Sequence, residues 1–403
     1  MLSILGPLWT SPGLRACSVA IFFFGFAGAA TAPYQSVVAI RELGLSDAAF
    51  SAVTLLAAML NVVASIILGV LADRDSGYRK LLMWLAACGM VGFGAIFLIR
   101  TPWAFVLAVL VPLSVYGGLY SLLFAAGRVF SQHLPRTEQA SVSSALRGLI
   151  SVAWILVPGL VGLALSRSDT LLPAYLIAGL AALAVLVVIR FLMPRGGGGD
   201  ATTRPPRMSI LAAFGLLLRL PIALRVLAAA LVTATLHVNS AVMPLIVTGQ
   251  AGGVPGDVGV IVGLVAAIEV AFILVWARVL KTLSIVAALG IGVGLYVVYL
   301  LWLAHAQSPA SVLAASCIGG IGAAAIIPLP LGYLQELISD RPGLSSSLLS
   351  INMFLAGALA AGLFALGTSI GHYPTVALMG AAAGALGGLG LLALEGFRLR
   401  PAV

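Results

Sequence analysis

The sequence predicts an all-α membrane protein with twelve transmembrane helices in two pseudo-symmetric six-helix bundles. Three observations lead to this fold class. Hydrophobic residues make up 62% of the 403 residues and charged residues only 8%, with a mean hydropathy of +1.17. A soluble domain carries about 25% charged residues, so this chain cannot build a water-facing surface. Apolar runs of spanning length recur along the whole chain, and one polar segment divides them into two sets.

Each membrane-crossing helix requires about 20 mostly apolar residues. The first run follows Arg15 and is too long for a signal peptide, so we expect an uncleaved first helix. Short connectors make most consecutive helices antiparallel neighbours. The predicted spans are 14–40, 47–72, 80–99, 102–131, 138–165, 171–193, 223–248, 256–280, 283–303, 308–338, 343–370 and 374–396.

One long connector separates the two halves. It contains the run Gly196 to Gly199 together with Pro205 and Pro206, a composition typical of a linker. We therefore predict an N-terminal bundle at 1–193, a cytoplasmic linker at 194–222 and a C-terminal bundle at 223–403. A weak internal match at an offset of roughly 205 positions aligns Arg147 with Asn352, as in a duplicated transporter.

The distribution of basic residues predicts the orientation. With the N-terminus inside, sixteen of the 21 Arg and Lys residues lie on the cytoplasmic side and three on the other, with two inside spans. Because cytoplasmic loops carry the excess of Arg and Lys, both termini should be cytoplasmic. We expect a multi-pass protein of the cell inner membrane.

Composition and motifs exclude several classes of protein. The net charge of +9 comes from scattered residues and forms no basic patch, so nucleic acid is not an expected partner. The three cysteines lie in apolar runs without metal-binding or disulfide spacing. No phosphate loop and no hydrolase motif occurs, so we expect neither an enzyme nor a cofactor.

Polar residues inside the spans are the candidate site. A charge at the bilayer centre costs about 2.5–3.5 kcal/mol on insertion scales and is tolerated beside a cavity or a partner. Arg147 lies about 13 Å into helix 5 and Glu269 about 16 Å into helix 8, so we predict that they pair across the halves. Asn61 and Asn352 fall at equivalent depths in helices 2 and 11. The structural alternative is a salt bridge or an interhelical hydrogen bond.

Other candidates lie beside prolines or towards one membrane face, since prolines that interrupt spanning helices often mark sites. Glu269 is the first candidate for proton coupling and Glu336 the second, because a coupling carboxyl must have a pKa that its surroundings change. The further candidate substrate-binding residues are Arg128, Tyr34, Gln35, His237, Asn239, Trp154 and Gln335.

The loop between helices 2 and 3 carries a recognisable signature. Its glycines permit tight turns, and its Asp and Arg or Lys groups can form ion pairs at helix ends that latch one conformation. The segment resembles the loop motif of the major facilitator superfamily, with one extra residue before the second glycine. The predicted gating residues are Gly69, Asp73, Arg74, Gly77, Arg79 and Lys80.

Further segments in both halves resemble the bacterial sugar efflux transporters within that superfamily. They include Ala32-Pro33, Arg128 to Arg147, Met243-Pro244-Leu245, Gly263 to Glu269 and Tyr333 to Asn352. The resemblance implies proton-linked export of sugars or glycosides through a cavity lined by helices 1, 4, 7 and 10. It also implies that helices 5 and 8 meet between the halves, as do helices 2 and 11.

We therefore predict a monomeric secondary transporter that exports small polar solutes such as sugars by proton-linked alternating access. Two alternatives remain. A drug or metabolite/proton antiporter would have a mostly apolar cavity with one acid. A non-transporting receptor or membrane enzyme would bind its ligand without moving it across the bilayer.

Overall fold

A computed structural model describes residues 6–9, 11–74, 78–165, 168, 170–194, 220–337 and 342–396. Within these ranges the chain is helical and forms no strand. Among the described residues, twelve helices are long and apolar enough to cross a membrane. The predicted fold class and the number of spans are therefore confirmed.

The helices lie where the apolar runs predict them, with ends that differ by a few residues. α10 consists of two segments separated by a break at Ile327 and Pro328. Of the predicted linker, residues 195–219 lie outside the described ranges, and the predicted bundle boundaries remain a prediction. The helices are α1 (Pro12–Glu42), α2 (Asp47–Arg74), α3 (Tyr78–Ile99), α4 (Pro102–Phe130), α5 (Arg136–Leu165), α6 (Pro173–Leu192), α7 (Leu220–Val247), α8 (Pro255–Val279), α9 (Ile285–His305), α10 (Pro309–Ile326 and Leu329–Leu337), α11 (Pro342–Ile370) and α12 (Tyr373–Glu395).

Local sequence explains where several helices begin. Proline occupies the first turn of α1, α4, α6, α8 and α10, where its missing N–H costs nothing. Ser11 and Ser284 cap α1 and α9 by accepting backbone N–H groups at 3.2 Å. Before α6, the carboxylate of Glu42 accepts from the Thr170 hydroxyl and the Leu171 N–H, both at 2.6 Å. These contacts hold the segment that leads into α6.

The first of two compact units comprises residues 1–45 and 56–203. In it, α6 packs against α1 and α3, and α1 also packs against α4 and α5. An aromatic cluster fills the space between α3, α4 and α6, with Phe93 in contact with the rings of Tyr116 and Tyr175. Tyr116 and Tyr175 are both buried, so aromatic packing forms a large part of this core.

The second unit comprises residues 46–55 and 204–403. In it, α7 packs against α11 and α12, and α10 packs against α8 and α9. The first turns of α2 belong to this unit. The Ser51 hydroxyl donates to the Ala361 carbonyl at 3.1 Å, and the rings of Phe50 and Phe364 lie 5.5 Å apart. The Tyr373 hydroxyl donates to Asp47 at 3.2 Å.

Glycines set the close approach of α9 and α10. A Cβ atom on Gly322 would lie 2.7 Å from the carbonyl oxygen of Gly292 and 3.0 Å from the backbone nitrogen of Tyr296. Both neighbours are backbone atoms and cannot move aside without shifting a helix. Small residues that permit such contact drive helix association in membranes, where apolar burial alone gives no preference for protein over lipid.

The Gly322 contact yields a stability prediction. Gly322→Ala should lower the unfolding free energy by about 1–3 kcal/mol relative to Gly294→Ala, because overpacking forces the two backbones apart. Gly294 also lies on α9, but a Cβ atom added there would meet no other atom within 4 Å, so it controls for the helix propensity of alanine. Thermal unfolding of detergent-solubilised protein measures the difference, and equal melting temperatures would contradict the prediction.

Candidate functional site

The predicted site residues of α1 lie at a change of helix geometry. The helix tightens into a 3₁₀ turn at Ala32–Tyr34 and widens into a π turn at Val38–Glu42. Tyr34 is fully buried, and its hydroxyl donates to the Pro158 carbonyl on α5 at 2.9 Å. This residue therefore joins α1 to α5 in the structure, while Gln35 is half-buried. The role of both residues in substrate binding remains a prediction.

A second wide turn lies in α4, at Val109–Leu113 around Pro112. The Asn61 amide nitrogen donates to the Ser114 carbonyl at 2.9 Å, and the Ser114 hydroxyl donates to the Val109 carbonyl at 2.8 Å. A Cβ atom on Gly117 would lie 2.2 Å from the Asn61 amide nitrogen, so a side chain at position 117 would displace this amide group. Asn61 thus makes an interhelical hydrogen bond, the structural role that the sequence left open.

The two candidate arginines of the first unit, Arg128 and Arg147, are exposed. Arg147 lies eleven residues after Arg136, the first residue of α5, and so about 16 Å along the helix. Arg128 lies near the end of α4, and Trp154 is half-buried about two turns beyond Arg147. A guanidinium group exposed at lipid depth is typical of a side chain that faces a partner or water. The pairing of Arg147 with Glu269 of the second unit remains a prediction.

Glu269 lies near the middle of α8. It precedes Val279, the last residue of the helix, by ten positions, which corresponds to about 15 Å. Its side chain is half-buried. The structure thus gives this carboxyl group partial access from outside the helix packing at the depth that the sequence predicts.

The polar residues of α7 have different surroundings. His237 is exposed, whereas Asn239 is half-buried. The Tyr299 hydroxyl on α9 donates to Asn239 Oδ1 at 2.7 Å. The role of Tyr299 could not be predicted from the sequence, because nothing in the pattern of α9 distinguishes Tyr299 from Tyr296.

Asn352 on α11 is almost completely buried, with 1% of its surface exposed. Its amide nitrogen donates to the Thr233 hydroxyl on α7 at 3.3 Å. Its amide oxygen has no hydrogen-bond partner among the described residues. Burial keeps this predicted binding residue away from solutes in the conformation described here, and its binding role remains a prediction.

A polar cluster of the second unit joins three helices at one end. Glu395, the last residue of α12, accepts from Arg225 Nε at 2.5 Å and from the Tyr333 hydroxyl at 3.1 Å. Arg225 lies in the first turns of α7 and also donates to the Pro221 carbonyl at 2.9 Å. Opposite charges at the facing ends of α7 and α12 were visible in the sequence, but their proximity depends on which helices pack together.

Two further candidates follow Tyr333 on α10. Glu336 is exposed, and the side chain of Gln335 lies outside the described residues.

The predicted gating loop is described in part. Gly69, Asp73 and Arg74 lie on α2, but nothing is described of their side chains, and Gly77 lies outside the described ranges. Arg79 is the second residue of α3 and donates to the carbonyls of Ile189 and Arg190 in the last turn of α6. Arginine at a helix C-terminus satisfies carbonyls that have no partner in their own helix. Lys80 is exposed.

Within the described ranges, no group of three or more His, Cys, Asp or Glu residues is arranged to hold a metal ion. The polar groups above are dispersed over several helices, and most occur singly at lipid depth. Twelve apolar helices that carry such groups and cluster into two units are typical of a membrane transporter.

A family model of the Major Facilitator Superfamily matches residues 17–361. The chain therefore belongs to this superfamily of transporters. The match extends across α1 to α10 and into α11, so it includes parts of both units.

Two relatives share a description. The chain is 24% identical over 355 residues to the "Putative sugar efflux transporter" of Deinococcus radiodurans, covering 88% of this chain and 90% of that protein. It is 25% identical over 362 residues to "Sugar efflux transporter B" of Salmonella typhimurium, covering 85% of this chain and 86% of that protein. The sequence-based resemblance to this group is thereby confirmed.

Solved structures share the fold at low sequence identity. The nucleoside transporter NupG superposes with a TM-score of 0.79 at 14% identity, covering 95% of this chain and 99% of that one. The peptide transporter POT in complex with alafosfalin superposes with a TM-score of 0.73 at 16% identity, covering 95% and 94%. These similarities establish the shared helical fold.

The Arg225–Glu395 pair yields a second stability prediction. Arg225→Gln and Glu395→Gln should each lower the unfolding free energy by about 0.5–1 kcal/mol, because both side chains remain partly exposed, at 21% and 29%. The double variant should lose less than the two single losses combined, since both remove the same interaction. Thermal unfolding measures this cycle, with the exposed Arg278→Gln as the control. Additive losses would contradict the contribution of the pair.

Proposed function

We propose that the protein is a secondary active transporter that exports sugars or glycosides by proton-linked alternating access. The observation that carries this proposal is the similarity to two sugar efflux transporters, each over at least 85% of the chain. The protein acts as a monomer in the cell inner membrane, with both termini in the cytoplasm, an orientation that the excess of Arg and Lys on one side supports.

The chemistry of the polar side chains suits a sugar. Sugar hydroxyls donate and accept hydrogen bonds, and guanidinium and amide groups offer matching donors and acceptors. Arg128 and Arg147 are exposed, and Asn239 is half-buried. The half-buried Trp154 supplies an aromatic face on which a sugar ring can stack. This set supports a polar solute over the hydrophobic cations that a drug antiporter would export.

Proton coupling requires a carboxyl group whose protonation differs between the two states of the transport cycle. Glu269 is the first candidate because it lies mid-helix and is partly accessible. Glu336 is the second candidate and is exposed at the end of α10. In the proposed cycle, proton entry through one carboxyl drives the change of state that releases the sugar.

Transport by purified protein tests this function. Proteoliposomes loaded with radiolabelled glucose or lactose should release the label faster when the external buffer is made more acidic than the lumen. A protonophore and protein-free liposomes are the controls. An unchanged rate would exclude proton antiport, and no protein-dependent release would exclude sugar transport. Inhibition by tetraphenylphosphonium, without inhibition by unlabelled sugars, would instead support a drug antiporter.

The Glu269→Gln variant tests the coupling residue. Glutamine keeps the size and hydrogen-bonding ability of the side chain but cannot exchange a proton. Gradient-driven export should therefore fall at least about tenfold, the size of effect expected when a proton-transfer group is removed. Exchange of sugar between equal pools should continue, because it needs no net proton movement.

Glu138→Gln is the matched control for Glu269→Gln, since Glu138 lies in the first turn of α5. It should leave both transport activities unchanged. If Glu269→Gln retains gradient-driven export at the normal rate, Glu269 is not the coupling group, and Glu336→Gln becomes the variant to measure.

A further inference from the structure

α3 and α6 pack against each other in the first unit, and each exposes one apolar face. Between Lys80 and Arg100 on α3, and between Pro173 and Arg190 on α6, every exposed side chain is a large apolar one. A path for polar solutes would carry polar groups, so these two faces are in contact with lipid. The exposed residues are Trp84, Val91, Leu98 and Ile99 on α3, and Leu176, Leu180, Leu183 and Val187 on α6.

A basic residue bounds each apolar face at the same end of the helix pair. Lys80 is the third residue of α3 and Arg190 lies in the last turn of α6, and both are exposed. Lys80 lies four residues before Trp84 and Arg190 three residues after Val187, so each cation continues the face of its own helix.

Arg79 holds these two helix ends together. Its guanidinium group donates to the carbonyls of Ile189, at 3.3 Å, and of Arg190. The start of α3 therefore lies against the end of α6, and Lys80 and Arg190 border one line of contact, which we call the α3–α6 seam. Arg79 also covers carbonyls that carry the negative partial charge of a helix C-terminus, which leaves the seam attractive to an anion.

The second unit contains a similar helix pair with a different charge. A Cβ atom on Gly290 of α9 would lie 3.0 Å from Leu392 Cδ1 of α12, so the start of α9 also lies against the end of α12. There α12 ends in Glu395, which accepts from Arg225. An acid thus occupies the helix end where α6 has Arg190, and the pair of cations distinguishes the α3–α6 seam.

We propose that the α3–α6 seam binds one anionic phospholipid, with its phosphate between Lys80 and Arg190 and its acyl chains along the two apolar faces. Basic residues between spanning helices recognise anionic headgroups at the membrane surface. Val91 lies eleven residues beyond Lys80, or about 16 Å along α3, which is about half the hydrocarbon thickness of a bilayer and so the reach of one acyl chain. The inference does not depend on which solute the protein transports.

Lipid-dependent thermal unfolding of the full-length protein in detergent tests this site. Phosphatidylglycerol should raise the melting temperature more than phosphatidylcholine with the same acyl chains, because a ligand of the native state stabilises it. The variant Lys80→Gln/Arg190→Gln should need about tenfold more phosphatidylglycerol for the same rise, since it lacks both cations. Both side chains are exposed, and Arg79 binds the backbone of Arg190, so the variant keeps the contact between the helices.

The matched control is Arg278→Gln/Lys281→Gln, which removes two exposed positive charges from the second unit. It should respond to phosphatidylglycerol as the wild type does. An equal loss in the two double variants would show a general attraction of charge and would overturn the proposal, as would equal effects of the two lipids on the wild type. Inorganic phosphate at the same concentration should give no rise, and a rise equal to that with phosphatidylglycerol would also overturn the assignment to a lipid.

Discussion

The constraint on which this structure depends is that hydrocarbon offers no hydrogen bonds to a peptide group. Each backbone N–H and C=O must find a partner within the protein, and twelve helices meet this requirement for most residues. Where a helix departs from regular geometry, neighbouring side chains supply hydrogen bonds to the backbone. The wide turn of α4 is held by Asn61 and Ser114, and the altered stretch of α1 lies beside the Tyr34–Pro158 contact.

Shape complementarity supplies what the hydrophobic effect cannot supply inside a bilayer. In the second unit, Gly319 and Gly322 create a shallow depression on α10 that the tyrosines of α9 occupy. This packing holds α9 in place, and α9 in turn presents the Tyr299 hydroxyl to Asn239 on α7. The glycines therefore contribute to the candidate site although none of them offers a functional group.

The sequence was sufficient for the fold because helices at lipid depth are recognised by their length and apolar composition. The predicted span 102–131 and the observed Pro102–Phe130 differ by a single residue. The sequence predicts the contacts between side chains less well. Depth along a helix can be counted from the sequence, and so the mid-helix position of Glu269 was predictable. The rotation of each helix and its neighbours depend on packing across the bundle, and so the contacts of Tyr299 and Glu395 were not.

The π turn at the end of α1 contains one extra residue, which changes the direction of the side chains that follow it. A π turn holds one residue more than an α turn, which rotates everything after it by about 100° around the helix axis. Glu42 ends that turn and holds the segment that leads into α6. Removing one residue from the turn would point this carboxylate away from Thr170 and Leu171. A deletion in α1 would therefore first disturb the segment that leads into α6.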